Sequence, residues 1–193
     1  MIEIPLTALA PSTQIEVSEA REALASKEIR FAVSLLSQLV MEVPTCLELR
    51  QLLRRAQYSN YGAPSELSLT PHQWWPAVAT RALQRPSLNP YKGLTIAERW
   101  LGRNPYNVMA HRRLAQNAYA LKMTKTVVFA NECINRHQPD ITANQMDLAQ
   151  AYLDAGDTQK AIAMAEKVLY QEPENHRGIE LVQSCSLIAS LQD

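Results

Sequence analysis

Prolines 71, 105, 139 and 173 lie thirty-four residues apart in this chain of 193. The same interval separates Leu114 from Leu148 and Ala115 from Ala149. A fixed period of this length marks a repeated supersecondary unit, which cannot bury its apolar face alone and must stack on its neighbours. Proline stops a helix, because its ring disfavours an α conformation in the residue before it and it has no N–H to continue the ladder. The recurrence therefore predicts helix pairs along the chain, with a breaker at a constant place in each.

The clearest unit is 142–175, TANQMDLAQAYLDAGDTQKAIAMAEKVLYQEPEN. Leu148, Ala151 and Tyr152 stand at i, i+3 and i+4, the spacing of a buried helical stripe. Thr142 and Gln145 have the spacing of a capping box, which predicts a helix start at Thr142. Gly156 takes positive φ at no steric cost, and Asp157 suits the N-cap of a second helix with Ala161, Ile162, Ala165, Val168 and Leu169 inward. Ala149 and Ala161 are small enough for two antiparallel backbones to approach, and Pro173 ends the pair.

This stretch resembles a tetratricopeptide repeat. With Thr142 as first position, Leu148 and Ala149 fall at seven and eight, Tyr152 at eleven, Gly156 at fifteen, Ala161 at twenty and Pro173 at thirty-two; Ala165 stands where the family has an aromatic. The resemblance implies an all-α superhelix, a solenoid of antiparallel helix pairs, with an irregular insertion and a C-terminal capping helix.

Taken in order, residues 1–12 read as an apolar, non-periodic arm. Thr13 and Glu16 mark a second capping-box start, and 13–46 makes a repeat with Ala32, Leu36, Leu39 and Pro44 in place and Lys27 where the glycine belongs. Residues 46–57 continue as an opening helix with Leu49, Leu52, Leu53 and Ala56 inward, so 13–57 holds one repeat and a following helix. Residues 58–93 break the register: YSNYGAPSELSLTP is turn-rich, and Thr70 with Pro71 suits the start of a helix bearing Trp74 and Trp75. Asn89 and Pro90 open another helix, whose Leu94, Ala97, Trp100 and Leu101 look like a second helix of a repeat. Repeats then fill 94–175, clearest in 108–141 and 142–175. In 108–141 Lys122 replaces the turn glycine, which predicts a longer or looser hairpin. Residues 176–193 read as the cap that a solenoid's last apolar face requires.

Nineteen basic and nineteen acidic side chains cancel overall, so nothing global steers the chain to nucleic acid or an anionic bilayer. Locally, 97–141 carries seven Lys/Arg against three Asp/Glu, and 142–193 three against eight. Cys46, Cys133 and Cys185 are odd in number and far apart, which argues against a disulfide framework and for a reducing, cytoplasmic setting. No apolar run reaches the length of a membrane span, and the N-terminus lacks a basic leader.

No catalytic or phosphate-binding motif appears, and His72, His111, His137 and His176 are scattered. Cys133 and His137, one helical turn apart, have no second pair to complete a metal site. His111 sits at a packing position. Arg50, Arg54, Arg55, Arg112 and Arg113 are the basic clusters; they lack the recurring aromatic partners of an RNA-reading repeat and look like a solvated face. Trp100 is expected in the core, while Trp74 and Trp75, about 100° apart on a helix, offer either core packing or a secondary interaction surface.

The family resemblance implies peptide binding along the concave face, at second, fifth, ninth and twelfth repeat positions: Met109, Arg112, Gln116 and Tyr119, then Ala143, Met146, Gln150 and Leu153, then Arg177. These residues make either a groove for a peptide backbone with an acidic group or a solvated face. The family's carboxylate clamp is disfavoured, since Asp147 and Leu181 stand where it needs Asn and a cation. The expected function is a non-catalytic protein-interaction or assembly scaffold binding a protein or peptide, with no cofactor, metal or nucleic acid. The alternative is self-association into a homo-oligomer through complementary charged and Trp-bearing surfaces.

Overall fold

A computed structural model describes residues 3–62 and 89–190, which are all-helical with no strand among them. The chain divides into two compact units, Met1–Met123 and Thr124–Asp193. The first holds α1 (Pro11–Ala25), α2 (Ile29–Glu42), α3 (Leu47–Tyr61), α4 (Pro90–Arg103) and α5 (Val108–Ala120). The second holds α6 (Thr124–His137), α7 (Thr142–Asp154), α8 (Thr158–Gln171) and α9 (His176–Ser190). Within each unit, consecutive helices pack as neighbours: α1 on α2, α2 on α3 and α4 on α5, then α6 on α7, α7 on α8 and α8 on α9. The helix expected around Trp74 and Trp75, and Pro71 with it, lies outside the described residues.

One junction recurs wherever a second helix hands over to the next first helix. Pro44, Pro105, Pro139 and Pro173 each sit two residues past the end of α2, α4, α6 and α8, and α3, α5, α7 and α9 each start three residues further on. At all four the backbone closes by the same turn: Cys46 N–H donates to Val43 O, Asn107 to Asn104, Ile141 to Gln138 and Asn175 to Glu172. The turn that closes a first helix recurs too. Lys27 (φ 63°), Lys122 (φ 57°) and Gly156 (φ 82°) occupy the left-handed region. Each is followed by an N–H bonded back to the fifth residue before it: Glu28 to Ala23, Met123 to Ala118 and Asp157 to Tyr152, a Schellman closure. The loop 121–123 therefore has the length and closure of 155–157, so lysine at this place does not lengthen the loop. The closing hydrogen bonds hold a lysine where a glycine would sit without strain.

Two expected helix starts are different. Helix α1 begins at Pro11, with Ala10 as an uncapped N-cap, so Thr13 lies inside it and makes no capping box. Proline at the first turn loses no hydrogen bond and arrives with a helical φ. Helix α7 begins at Thr142, but Ile141 is its N-cap and the Thr142–Gln145 box does not form. The Thr142 hydroxyl donates instead to Glu172 Oε1 at 2.8 Å. Helix α3 runs on to Tyr61 and stops at Gly62 (φ 77°), four residues beyond its expected end. By contrast Asn89 caps α4 as expected, accepting from Tyr91 and Lys92 N–H, with Pro90 in the first turn.

The cores follow from these elements. In the first unit Leu9, Val17, Ala20, Leu36, Leu39, Leu49 and Leu53 are buried together. Leu9 comes from the N-terminal lead, which is tied to the α2–α3 junction by Ile4 N–H to Thr45 O at 3.3 Å and Leu6 N–H to Glu48. In the second unit Met146, Leu148, Ala149, Tyr152, Ala161, Ala165, Val168, Leu181 and Cys185 form the core. Ala149 and Ala161 are fully buried where α7 meets α8. Gly178 is buried against Leu169; a Cβ there would come within 3.0 Å of Leu169 Cδ2.

Candidate functional site

The fourth residue of three first helices reaches back to the proline that precedes its helix. Arg50 Nη2 donates to Pro44 O at 3.0 Å, His111 Nε2 bonds Pro105 O at 3.0 Å, and Gln145 Nε2 donates to Pro139 O. All three side chains are fully buried. A proline-ended helix leaves carbonyls that the next helix cannot satisfy with its own backbone, and these side chains supply the missing donor. His111 thus has a structural role at its packing position. Gln145, expected in a capping box, serves the preceding carbonyl instead.

With these positions turned inward, the outward face of each first helix is defined. On α5, Gln116 and Tyr119 are exposed, Tyr119 to 66 %, and Met109 and Arg112 are half-buried. On α7, Ala143, Asp147, Gln150 and Asp154 are exposed at i, i+4, i+7 and i+11, one stripe of the helix. Gln150 Nε2 donates to Asp154 Oδ1 at 2.8 Å. Arg177 of α9 reaches Asp147 at 3.2 Å, an exposed pair. Leu153 is half-buried at the edge of the core. Met146, expected on the binding face, is 2 % exposed and belongs to the core. The fifth position of this repeat points inward, because Met146 packs with Leu148, Ala149 and Tyr152 of its own helix. The exposed stripe of α7 is therefore polar apart from Ala143, with Asp147, Gln150 and Asp154 on it and Arg177 of α9 reaching across to Asp147. Trp74 and Trp75 lie outside the described residues.

The basic cluster of α3 is not a solvated face. Arg50 and Arg54 are buried, and both grip Glu98 of α4: Arg50 Nε donates to Oε1 at 2.6 Å and Arg54 Nη2 to Oε2 at 2.7 Å. Arg54 Nη1 also donates to Gln57 Oε1. Burial pushes the Glu98 carboxyl up, but the Arg54 and Arg50 charges and their hydrogen bonds outweigh it and hold the group below the ordinary carboxylate value. Only Arg55 of the α3 arginines is exposed, Arg113 is buried and Arg112 half-buried. The missed signal was the spacing: Arg50 and Arg54 each follow a core leucine, Leu49 and Leu53, at i and i+4, on the edge of the buried stripe. Trp100, expected in the core, is half-buried with the Arg103 guanidinium 5.6 Å from its ring centroid.

In the second unit the Tyr152 hydroxyl donates to Glu132 Oε1 at 2.8 Å, and Lys160 sits 5.4 Å over the Tyr152 ring while pairing with Asp157 at 2.6 Å. Burial, then the hydrogen bond to Glu132, raises the Tyr152 phenol. The cluster ties α6, α7 and α8 together. Cys46, Cys133 and Cys185 are buried and take part in no disulfide, and burial raises the Cys46 and Cys185 thiols, so neither is poised as a thiolate. Among the described residues no three His, Cys, Asp or Glu are placed to hold a metal ion, and no helix is long and apolar enough to cross a membrane. The chain matches no family model, no curated protein and no solved structure.

Proposed function

We infer that the chain is a non-catalytic interaction scaffold of tetratricopeptide type, which holds a peptide or protein segment along the outward faces of its first helices. One observation carries this reading. The junctions, turns and buried carbonyl donors keep one geometry from repeat to repeat, while outward positions change from Met109, Tyr119 and Ala120 in one to Ala143, Leu153 and Asp154 in the next. A framework with constant joints and changing outer side chains suits recognition of an irregular sequence. The exposed Tyr119 ring adds an anchor of the kind that interfaces favour.

The test is capture of partners by the wild type and by a variant combining Tyr119→Ala and Gln150→Ala. Partners lost at unchanged helicity support the reading; the same partners held equally well by both proteins overturn it. Self-association is the second reading, favoured by charge: Met1–Met123 carries fourteen Lys/Arg against nine Asp/Glu, and Thr124–Asp193 carries five against ten. It requires a dimer in sedimentation that weakens with salt, and a monomer at both low and high salt disposes of it.

A further inference from the structure

Between Glu48 and Glu132 the chain has two carboxylates, Glu66 and Glu98, against twelve Lys and Arg. The structure removes Glu98 from the surface altogether, locking it between Arg50 and Arg54. The helix that carries it, α4, presents Lys92, Arg99 and Arg103 to solvent. At 100° per residue these three and the half-buried Ile96 fall within an arc of about 60°, with Glu98 at least about 100° away from each of the three cations. Neither Lys92 nor Arg99 meets a carboxylate of the described residues. The Arg103 guanidinium is held in place by the Trp100 ring. The face is thus a single-sign strip with one pre-ordered arginine and a hydrophobic residue along one edge, between Lys92 and Arg99.

We propose that this face of α4 is a docking surface for an extended acidic segment of a partner protein. Along the helix Arg99 and Arg103 are about 6 Å apart and Lys92 lies about 10 Å beyond. Side chains on one side of an extended strand repeat at about 6.6 Å, so carboxylates two residues apart meet the two arginines in turn, where planar guanidinium pairs with carboxylate in a two-point fork. A nucleic-acid strand fits less well. Its bases need free aromatic faces, whereas Trp100 is covered by Arg103, and Tyr58 and Tyr61 both pack on the Tyr106 ring, at 5.1 Å and 6.0 Å between centroids. The surface shares no residue with the first-helix stripes, so it stands whether or not those bind a ligand.

The experiment measures binding of a labelled peptide of alternating glutamate and serine to the full chain, at low and high salt. The wild type binds, the affinity falls with salt, and Arg99→Glu with Arg103→Glu weakens it by about tenfold or more, as loss and reversal of paired charges requires. The milder Arg99→Gln with Arg103→Gln pair, with helicity measured alongside, keeps the test valid should the reversed pair disturb folding, and Gln183→Ala, at an exposed position of α9, leaves binding unchanged. No binding by the wild type, equal binding by both double variants, or tighter binding of an oligothymidylate of the same charge overturns the proposal. So does a salt-sensitive dimer that the same arginine variants dissolve, since the face then belongs to a second copy.

Discussion

The two units solve the same packing problem with different chemistry. In Thr124–Asp193 the helices meet through Met146, Leu148, Ala149, Ala161, Ala165 and Val168, apolar groups whose attraction has no direction. In Met1–Met123 an apolar core joins α1, α2 and α3, but α3 reaches α4 through a buried carboxylate between two arginines. Apolar contacts tolerate small slips, whereas a buried charge triad is favourable only where every charge finds its partner, because desolvation costs several kcal/mol per ion, roughly what good pairing returns. The first unit thus gains a joint that selects one alignment of α3 with α4, and the second gains tolerance.

The sharpest way to break that contrast is Glu98→Gln. It leaves two buried guanidinium groups without a counter-charge and should cost about 3–5 kcal/mol; a loss under about 1 kcal/mol in chemical denaturation would show the triad to be solvated rather than buried. The same joint sets an acid limit. Because the folded Glu98 carboxyl lies below its ordinary value, its contribution is full above the ordinary value and fades as pH falls through the folded one. Hydrogen-exchange protection in α3 and α4, taken relative to the intrinsic rate at each pH, should fall on acidification, and the acid limb should flatten in Glu98→Gln.

In the other unit Met146→Ala should cost about 2–4 kcal/mol through the cavity it leaves, with little dependence on pH, which thermal melts at two pH values check. A groove residue would instead change stability by less than about 0.5 kcal/mol. Gln145→Leu should cost about 1–3 kcal/mol by stranding the Pro139 carbonyl. The smallest change expected is a gain: Lys122→Gly relieves a left-handed lysine worth roughly 1 kcal/mol of strain and returns part of it as flexibility in the unfolded chain. The corresponding change at Gly156, to Lys, should lose a similar amount, and equal melting temperatures for all three proteins would remove the distinction between the two turns.

The periodic parts of this fold were legible from residues alone. Proline spacing located the second-to-first helix junctions, Asn89 and Pro90 marked a true helix start, and Ala149 with Ala161 marked a close helix contact. Chain-local cues misled where a better partner lay elsewhere. Thr142 turned to Glu172 and Gln145 to Pro139, so no capping box formed. The stripe of candidate binding residues was legible only in part: Gln116, Tyr119, Gln150 and Arg177 are exposed, but Met146 is inside. A repeat position fixes the angle around a helix, and its burial depends on what covers that angle.

By itself the sequence determined where α2, α4, α6 and α8 stop, because proline geometry acts within a few residues of the backbone. Only the tertiary structure decided which charges go inside. Glu98 lies more than forty residues along the chain from Arg50 and Arg54, and each of the three is tolerable in the interior only when the others arrive with it. The spacing of Arg50 and Arg54 behind Leu49 and Leu53 is a local mark of the stripe's edge, but the carboxylate that admits them to the interior lies outside any local pattern.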